Sequence, residues 1–140
     1  MEIKSIANGI VIDHLRAGSG MRVLKHLNID TGHDPVAFIM NVVSGKHGRK
    51  DIIKLENIED VDLTALGLID HTATVNIIKN HHIVEKIKLS LPEKVTDVII
   101  CKNPRCVTSL EAVPHVFLLV DESGKYRCEY CDDIIKAFER

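Results

Sequence analysis

Two short stretches, CKNPRC at residues 101–106 and CEYC at residues 128–131, hold every cysteine of the 140-residue chain. Each is tight enough for two thiolates on one turn to point at a single ion, and two such turns complete a tetrahedron. The spacing C-x4-C, 21 residues, C-x2-C therefore points to a metal held by Cys101, Cys106, Cys128 and Cys131. Reduced spectator thiols and a redox pair are the competing readings. The redox pair is disfavoured because no thioredoxin-like context surrounds it. Four cysteines close the coordination sphere, whereas a catalytic zinc keeps a position open for water or substrate. A structural Zn2+ is expected, with His115 left as an ordinary surface or core residue. Between the pairs, apolar VFLLV, a DESGK turn and a returning strand predict a β-hairpin stapled by the metal.

The same cysteines divide the chain. The first 90 residues contain none, and Pro92 interrupts the strand pattern in SLPEKVTDV. A linker is expected near residues 91–96, with one domain over 1–92 and a second over 97–140. The second is near the size below which a core needs a metal or disulfide to fold. Hydrophobic residues make up 45% of the chain, without Trp, so Val, Ile and Leu must fill the core and bias it toward strands. No apolar run approaches membrane-spanning length and the start lacks signal-peptide features, so a cytoplasmic protein is expected.

Net charge is −2. Residues 1–96 carry 12 basic and 12 acidic side chains, and residues 97–140 carry 6 and 8. Nucleic-acid binding depends mainly on phosphate neutralisation by Lys and Arg, so this balance speaks against a nucleic-acid-reading zinc module.

In the first segment, periodicity predicts strands in IVIDHL, PVAFIMNVVS, KDIIKLENI, TATVNIIKN and IVEKIKLSL. Helices are predicted in GSGMRVLKHLN, with Ser19 as cap and Met21, Leu24 and Leu27 on one face, and in DVDLTALGL, capped by Asp60 or Asp62. Asn28 is expected near the end of the first helix, and GKHG as a turn. In the last strand, Ile83, Ile87, Leu89 and Leu91 should share one face and Lys86 and Lys88 the other. The order strand, helix, two strands, helix, two strands predicts an α+β domain. It would be a mostly antiparallel sheet with two helices on one face, followed by a small all-β zinc-binding domain.

Three polar groups stand out from this frame: Asp13–His14 at a strand end; Lys46, Arg49, Lys50 and Lys54; and Asn76, Lys79, His81, His82 and Lys86. They read either as a solvated turn and a lysine-guarded sheet face, or as an anion site where separate lysines converge on phosphates. In the second case Asn76 and backbone groups would read a base edge. RAGSG lacks the P-loop pattern, and adjacent His81 and His82 point to opposite faces of a strand. No nucleophile elbow accompanies Asp13–His14, so a hydrolytic triad is not supported.

GIVIDHL, SGKHGRKDIIKLEN, ATVNIIKN, SLPEKVTDVIIC and the cysteine clamp, in that order, resemble the regulatory chain family of aspartate carbamoyltransferase over nearly the whole length. The resemblance implies a noncatalytic subunit acting on an enzyme of pyrimidine biosynthesis. Its N-terminal domain would bind CTP and ATP, with UTP acting alongside CTP. Its zinc domain would dock on the catalytic chain, regulatory dimers bridging two catalytic trimers. By motif, Asp13, Lys54 and Lys86 match residues that contact ribose and phosphates, with His14 also at the site. Ser5, Ile6, Val11, Asn76, Ile78 and Ile83 fall at the base and sugar pocket. His81 stands where a Tyr often lies beside the base, and His47 where a Met is usual. The arm before GIVIDHL is several residues shorter.

Overall fold

A computed structural model describes residues 5–27, 32–45 and 48–137. Asn28, Lys46 and His47 lie outside the described residues. Contacts split the chain after Ser90 into two compact units.

The first unit is built on β1 (Gly9–Arg16), the central strand of an antiparallel sheet. Its partners are β2 (Val36–Ser44), β3 (Gly48–Glu56), β4 (Thr74–Lys79) and β5 (His82–Lys88), in the order β2-β3-β1-β4-β5. Side chains alternate between the faces of a strand, so the register sorts them. Ile10, Ile12, Ile53, Leu55 and Val75 share one face and are fully buried. Helices α1 (Ser19–His26) and α2 (Leu63–Ile69) belong to this face, α1 contacting α2, β1 and β3. The expected α+β architecture is therefore present.

Helix α1 departs from its sequence reading in two respects. Its N-cap position is Gly18, and no side chain of the cap residue closes it. Asp51, from β3, does so instead. Its Oδ2 accepts hydrogen bonds of 3.0 Å from the Gly18 and Gly20 N–H groups, and its Oδ1 accepts one of 2.9 Å from the Asn41 N–H. Ser19 is thus a buried helical residue rather than a cap. The buried face of α1 is Ser19, Gly20 and Val23, while Met21 is exposed. Close approach to the sheet selects this face: a Cβ on Gly20 would lie 2.4 Å from Phe38 Cε1 and 2.9 Å from Asp51 Oδ2. In α2 the cap is Asp62, whose Oδ1 accepts from the Ala65 N–H at 3.1 Å.

The third difference lies in β5. The β4–β5 hairpin turns through Asn80 (φ 49°) and His81 (φ 66°), a two-residue turn with positive φ at both positions. The register then shifts: Ile78 pairs with Ile83 but Ile77 pairs with Glu85, leaving Val84 as an extra residue. Such a bulge reverses the alternation on one side of it. Ile83 consequently lies on the face of Lys86 and Lys88, not on that of Ile87.

The second unit is an antiparallel meander of β6 (Lys94–Thr96), β7 (Val116–Leu119), β8 (Lys125–Cys128) and β9 (Ile134–Lys136). Residues 94–96, read as linker from the sequence, are its first strand. The expected β7–β8 hairpin is present. Its core is small: Phe117 and Tyr126 are fully buried, and Tyr126 Oη donates to the Pro92 carbonyl at 2.6 Å. Burial pushes the Tyr126 hydroxyl up to about 12.

Candidate anion face and thiolate cluster

The sheet face away from the helices collects most of the polar residues singled out by sequence. Lys54 pairs with Val11, Val11 with Asn76, and Asn76 with Lys86. Those four side chains form one row across β3, β1, β4 and β5. Three strand spacings separate the two lysine Cα atoms, about 14 Å. Their long flexible stems can lean inward over Val11 and Asn76. Lys54 is half-buried and Lys86 exposed. Asn76 is only 8% exposed, and its Oδ1 has no hydrogen-bond partner. An orphaned buried acceptor is costly unless something else supplies a donor.

Rows on either side extend this surface. Toward the β4–β5 turn, Ile78 faces Ile83; the first is buried and the second exposed. The arm runs past this end: the His81 N–H donates to the Ala7 carbonyl at 2.9 Å, and the Asn80 N–H to Asn8 Oδ1 at 3.1 Å. Ser5 is exposed and Ile6 half-buried on the same arm. In the other direction Asp13 faces Thr74, which faces Lys88. His14, at φ 59°, sits where β1 bulges between Ile12 and Leu15. Its Nδ1 lies 3.1 Å from Thr74 Oγ1.

Asp13 also receives Lys50, whose Nζ stands 3.0 Å from Oδ1, and the His14 N–H at 2.6 Å. Burial alone would raise the Asp13 carboxyl. The hydrogen bonds from Lys50 and His14, with their positive charge, outweigh it and hold the group below its ordinary value of 3.8. Lys50 and Thr74 thus join Asp13 and His14, although the sequence assigned neither a clear role. For Lys50 the signal was available: it shares the even positions of β3 with Lys54 and therefore its face.

A cleft of about 730 Å³ lies elsewhere, on the helix-bearing side of the sheet, with Ile10, Val75, Ile77 and Ile87 among its lining residues. It includes Ile78 but none of Asp13, Lys54 or Lys86.

In the second unit the four cysteines converge from two loops. Cys101 and Cys131 sulfurs are 3.7 Å apart, those of Cys106 and Cys128 3.8 Å, and all four lie within 4.8 Å of one another. These separations are far longer than a disulfide bond. They match the roughly 3.8 Å between sulfurs of a tetrahedral site with bonds of about 2.3 Å. His115 is not among the ligands. Its Nδ1 accepts the Cys101 N–H at 3.1 Å, which fixes the first loop. The Cys106 N–H donates to Asn103 O at 3.0 Å, and Cys106 O accepts from Ser109 N–H at 2.9 Å, opening a 3-10 turn, Val107–Ser109. The second loop closes through Cys128 O, which accepts from the Asp132 N–H at 3.0 Å.

Cys106 and Cys128 are 1% and 0% exposed, and Cys101 7%. Burial pushes the Cys101 and Cys128 thiols up. Thr108, two residues on, draws the Cys106 thiol down to about 7. Thiols packed this closely, away from water, favour a bound cation that takes them all as thiolates.

Comparison with known proteins agrees with this division. Residues 1–90 match the allosteric domain of the aspartate carbamoyltransferase regulatory chain, and residues 93–139 match its metal binding domain. The regulatory chain of Clostridium tetani is 54% identical, with 99% of both chains covered. That of Clostridium acetobutylicum is 52% identical over 98% of this chain and 95% of its own. That of Bifidobacterium longum is 47% identical over 97% and 99%. With its antiparallel sheet, two helices and cluster of four cysteines, the chain belongs to the aspartate carbamoyltransferase regulatory chain family.

Proposed function

We propose that residues 1–92 sense nucleoside triphosphates on the sheet face away from the helices, and that residues 97–140 hold one structural Zn2+ and dock on the catalytic chain. The observation that carries the first part is the row Lys54–Val11–Asn76–Lys86, two cations flanking an apolar seat and an unsatisfied buried acceptor. Lys54 and Lys86 take the phosphates as point charges. Asp13 accepts from ribose hydroxyls, with His14 beside it. Val11, Ile78 and Ile83 supply an apolar surface for the base and sugar. Ser5, Ile6 and His81 close the arm end of this surface. CTP, ATP and UTP are the effectors, as the family resemblance implies.

Four sulfur ligands in a tetrahedron suit zinc, which has no redox chemistry of its own and is bound by thiolates in closed structural sites. The metal's part here is to fold the unit that carries the docking surface. Regulatory dimers then bridge two catalytic trimers in the cytoplasm. An effector biases such an assembly only by its differential affinity for two states, typically ~1–3 kcal/mol of coupling. The test is co-expression with a catalytic chain and calorimetric titration of CTP into the complex. Failure to co-purify, or absence of a binding isotherm, would refute the corresponding half.

A further inference from the structure

We propose that the Thr108 hydroxyl donates a hydrogen bond to the Cys106 thiolate of the metal-loaded cluster, making Thr108 a positioning residue that sets how tightly the site holds its metal. The inference rests on the metal reading above. Thr108 is 9% exposed, and its Oγ1 has no hydrogen-bond partner. Among the described residues of the second unit, it is the buried polar side chain. Such a hydroxyl is expected to find an acceptor, since an unpaired one keeps its full desolvation cost. Thr108 stands two residues after Cys106, the N-cap residue of the turn that Thr108 occupies.

The sulfur has the complementary need. Four thiolates on a divalent ion leave a net charge of −2, and Cys106 is 1% exposed, so water does not supply the donors. The Cys106 main chain is fixed on both sides, by Asn103 O and by the Ser109 N–H. Ser109 Oγ is engaged elsewhere, donating to Asn103 O at 2.9 Å. Thr108 is therefore the hydroxyl left to serve the thiolate. With a metal bound, the Cys106 proton would be released to water and the sulfur would be an acceptor only, so the two unmet requirements would cancel.

Two pairs of substitutions separate a hydroxyl from a shape effect in the full-length chain. Thr108→Val keeps the branched shape and loses the donor, and Thr108→Ser keeps the donor and loses the methyl. Affinity is read by competing Zn2+ and Co2+ from the chain with a chromophoric chelator, and the Co2+–thiolate charge-transfer band is recorded alongside. Loss of a partner that orients a metal ligand costs about 10–100-fold in affinity. Thr108→Val is expected to fall in that range with a shifted band, and Thr108→Ser to stay close to wild type. If Thr108→Val does not fold even with metal, Thr108→Ala and Thr108→Ser, which differ only in the hydroxyl, carry the same comparison. Equal affinity and equal bands within either pair would overturn the proposal while leaving the metal site standing. A wild-type chain that takes no Co2+ would overturn both.

Discussion

Truncating Lys54 and Lys86 separately should weaken nucleotide binding unequally, because the fold treats the two ammonium groups differently. Both belong to one row across the sheet, yet Lys54 emerges half-buried from β3 and Lys86 is exposed on the edge strand β5. A hydrogen bond to a charged group is worth about 1.5–3 kcal/mol when partly shielded. An exposed ion pair is worth about 0.2–1 kcal/mol. Lys54→Ala should then cost ~2 kcal/mol, a rise in Kd of about 30-fold, and Lys86→Ala ~1 kcal/mol, about 5-fold. Exposure also sets salt sensitivity. Raising ionic strength from about 0.05 to 0.5 M shortens the screening length to a few ångströms and should erase most of the Lys86 difference but less of the Lys54 difference. Calorimetric titration of CTP at both salt concentrations, with circular dichroism to verify folding, measures both effects. Lys54→Ala binding as tightly as wild type, or Lys86→Ala being the more damaging change, would refute the reasoning from the row.

Asp51→Asn replaces a carboxylate that accepts three backbone N–H groups with an amide that presents two donors of its own. A loss of about 3 kcal/mol in urea denaturation is expected, and a loss below about 1 kcal/mol would show that α1 is capped otherwise. Gly20→Ala should also destabilise, by ~2 kcal/mol from overpacking against Phe38, despite the better helix propensity of Ala. A stabilised Gly20→Ala would contradict the close approach. Because the folded Asp13 carboxyl lies below its ordinary value of 3.8, its contribution to stability is complete above that pH and lost as pH falls through the lowered value. Denaturation midpoints between pH 2 and 6 should fall less steeply at the acid end in Asp13→Asn than in wild type; parallel curves would count against the Lys50–Asp13 pair. Cys106→Ala, or chelation of the wild type, should loosen residues 97–140 while CTP still binds. Heteronuclear NMR read alongside calorimetry distinguishes this from collapse of the whole chain.

The cysteine cluster was legible because short cysteine spacings nearly fix local geometry: two cysteines on one turn leave few other arrangements. The order of strands and helices was legible for a similar reason, since Ile10, Ile12, Ile53 and Leu55 keep a strict period of two. The cap of α1 was not. Asp51 lies 31 residues beyond the Gly20 N–H it serves, and nothing local links an acid in a strand to a distant helix end. Ser19 looked like the cap because its type is common there, but the sheet's approach to Gly20 made it a buried first-turn residue. The face of Ile83 was lost to one extra residue, Val84, because a bulge is invisible to a count of alternation.

The amino-acid sequence by itself determined that the chain has a cysteine-free α+β part and a tail with four cysteines at metal-ligand spacing, since both follow from local spacing and periodicity. Tertiary structure decided which residues meet. Strand pairing brings Lys54, Val11, Asn76 and Lys86, drawn from four strands, into one row, and leaves the Asn76 acceptor there without a partner. Registers between strands distant in sequence are set by the whole sheet packing at once, so that row could exist only after folding.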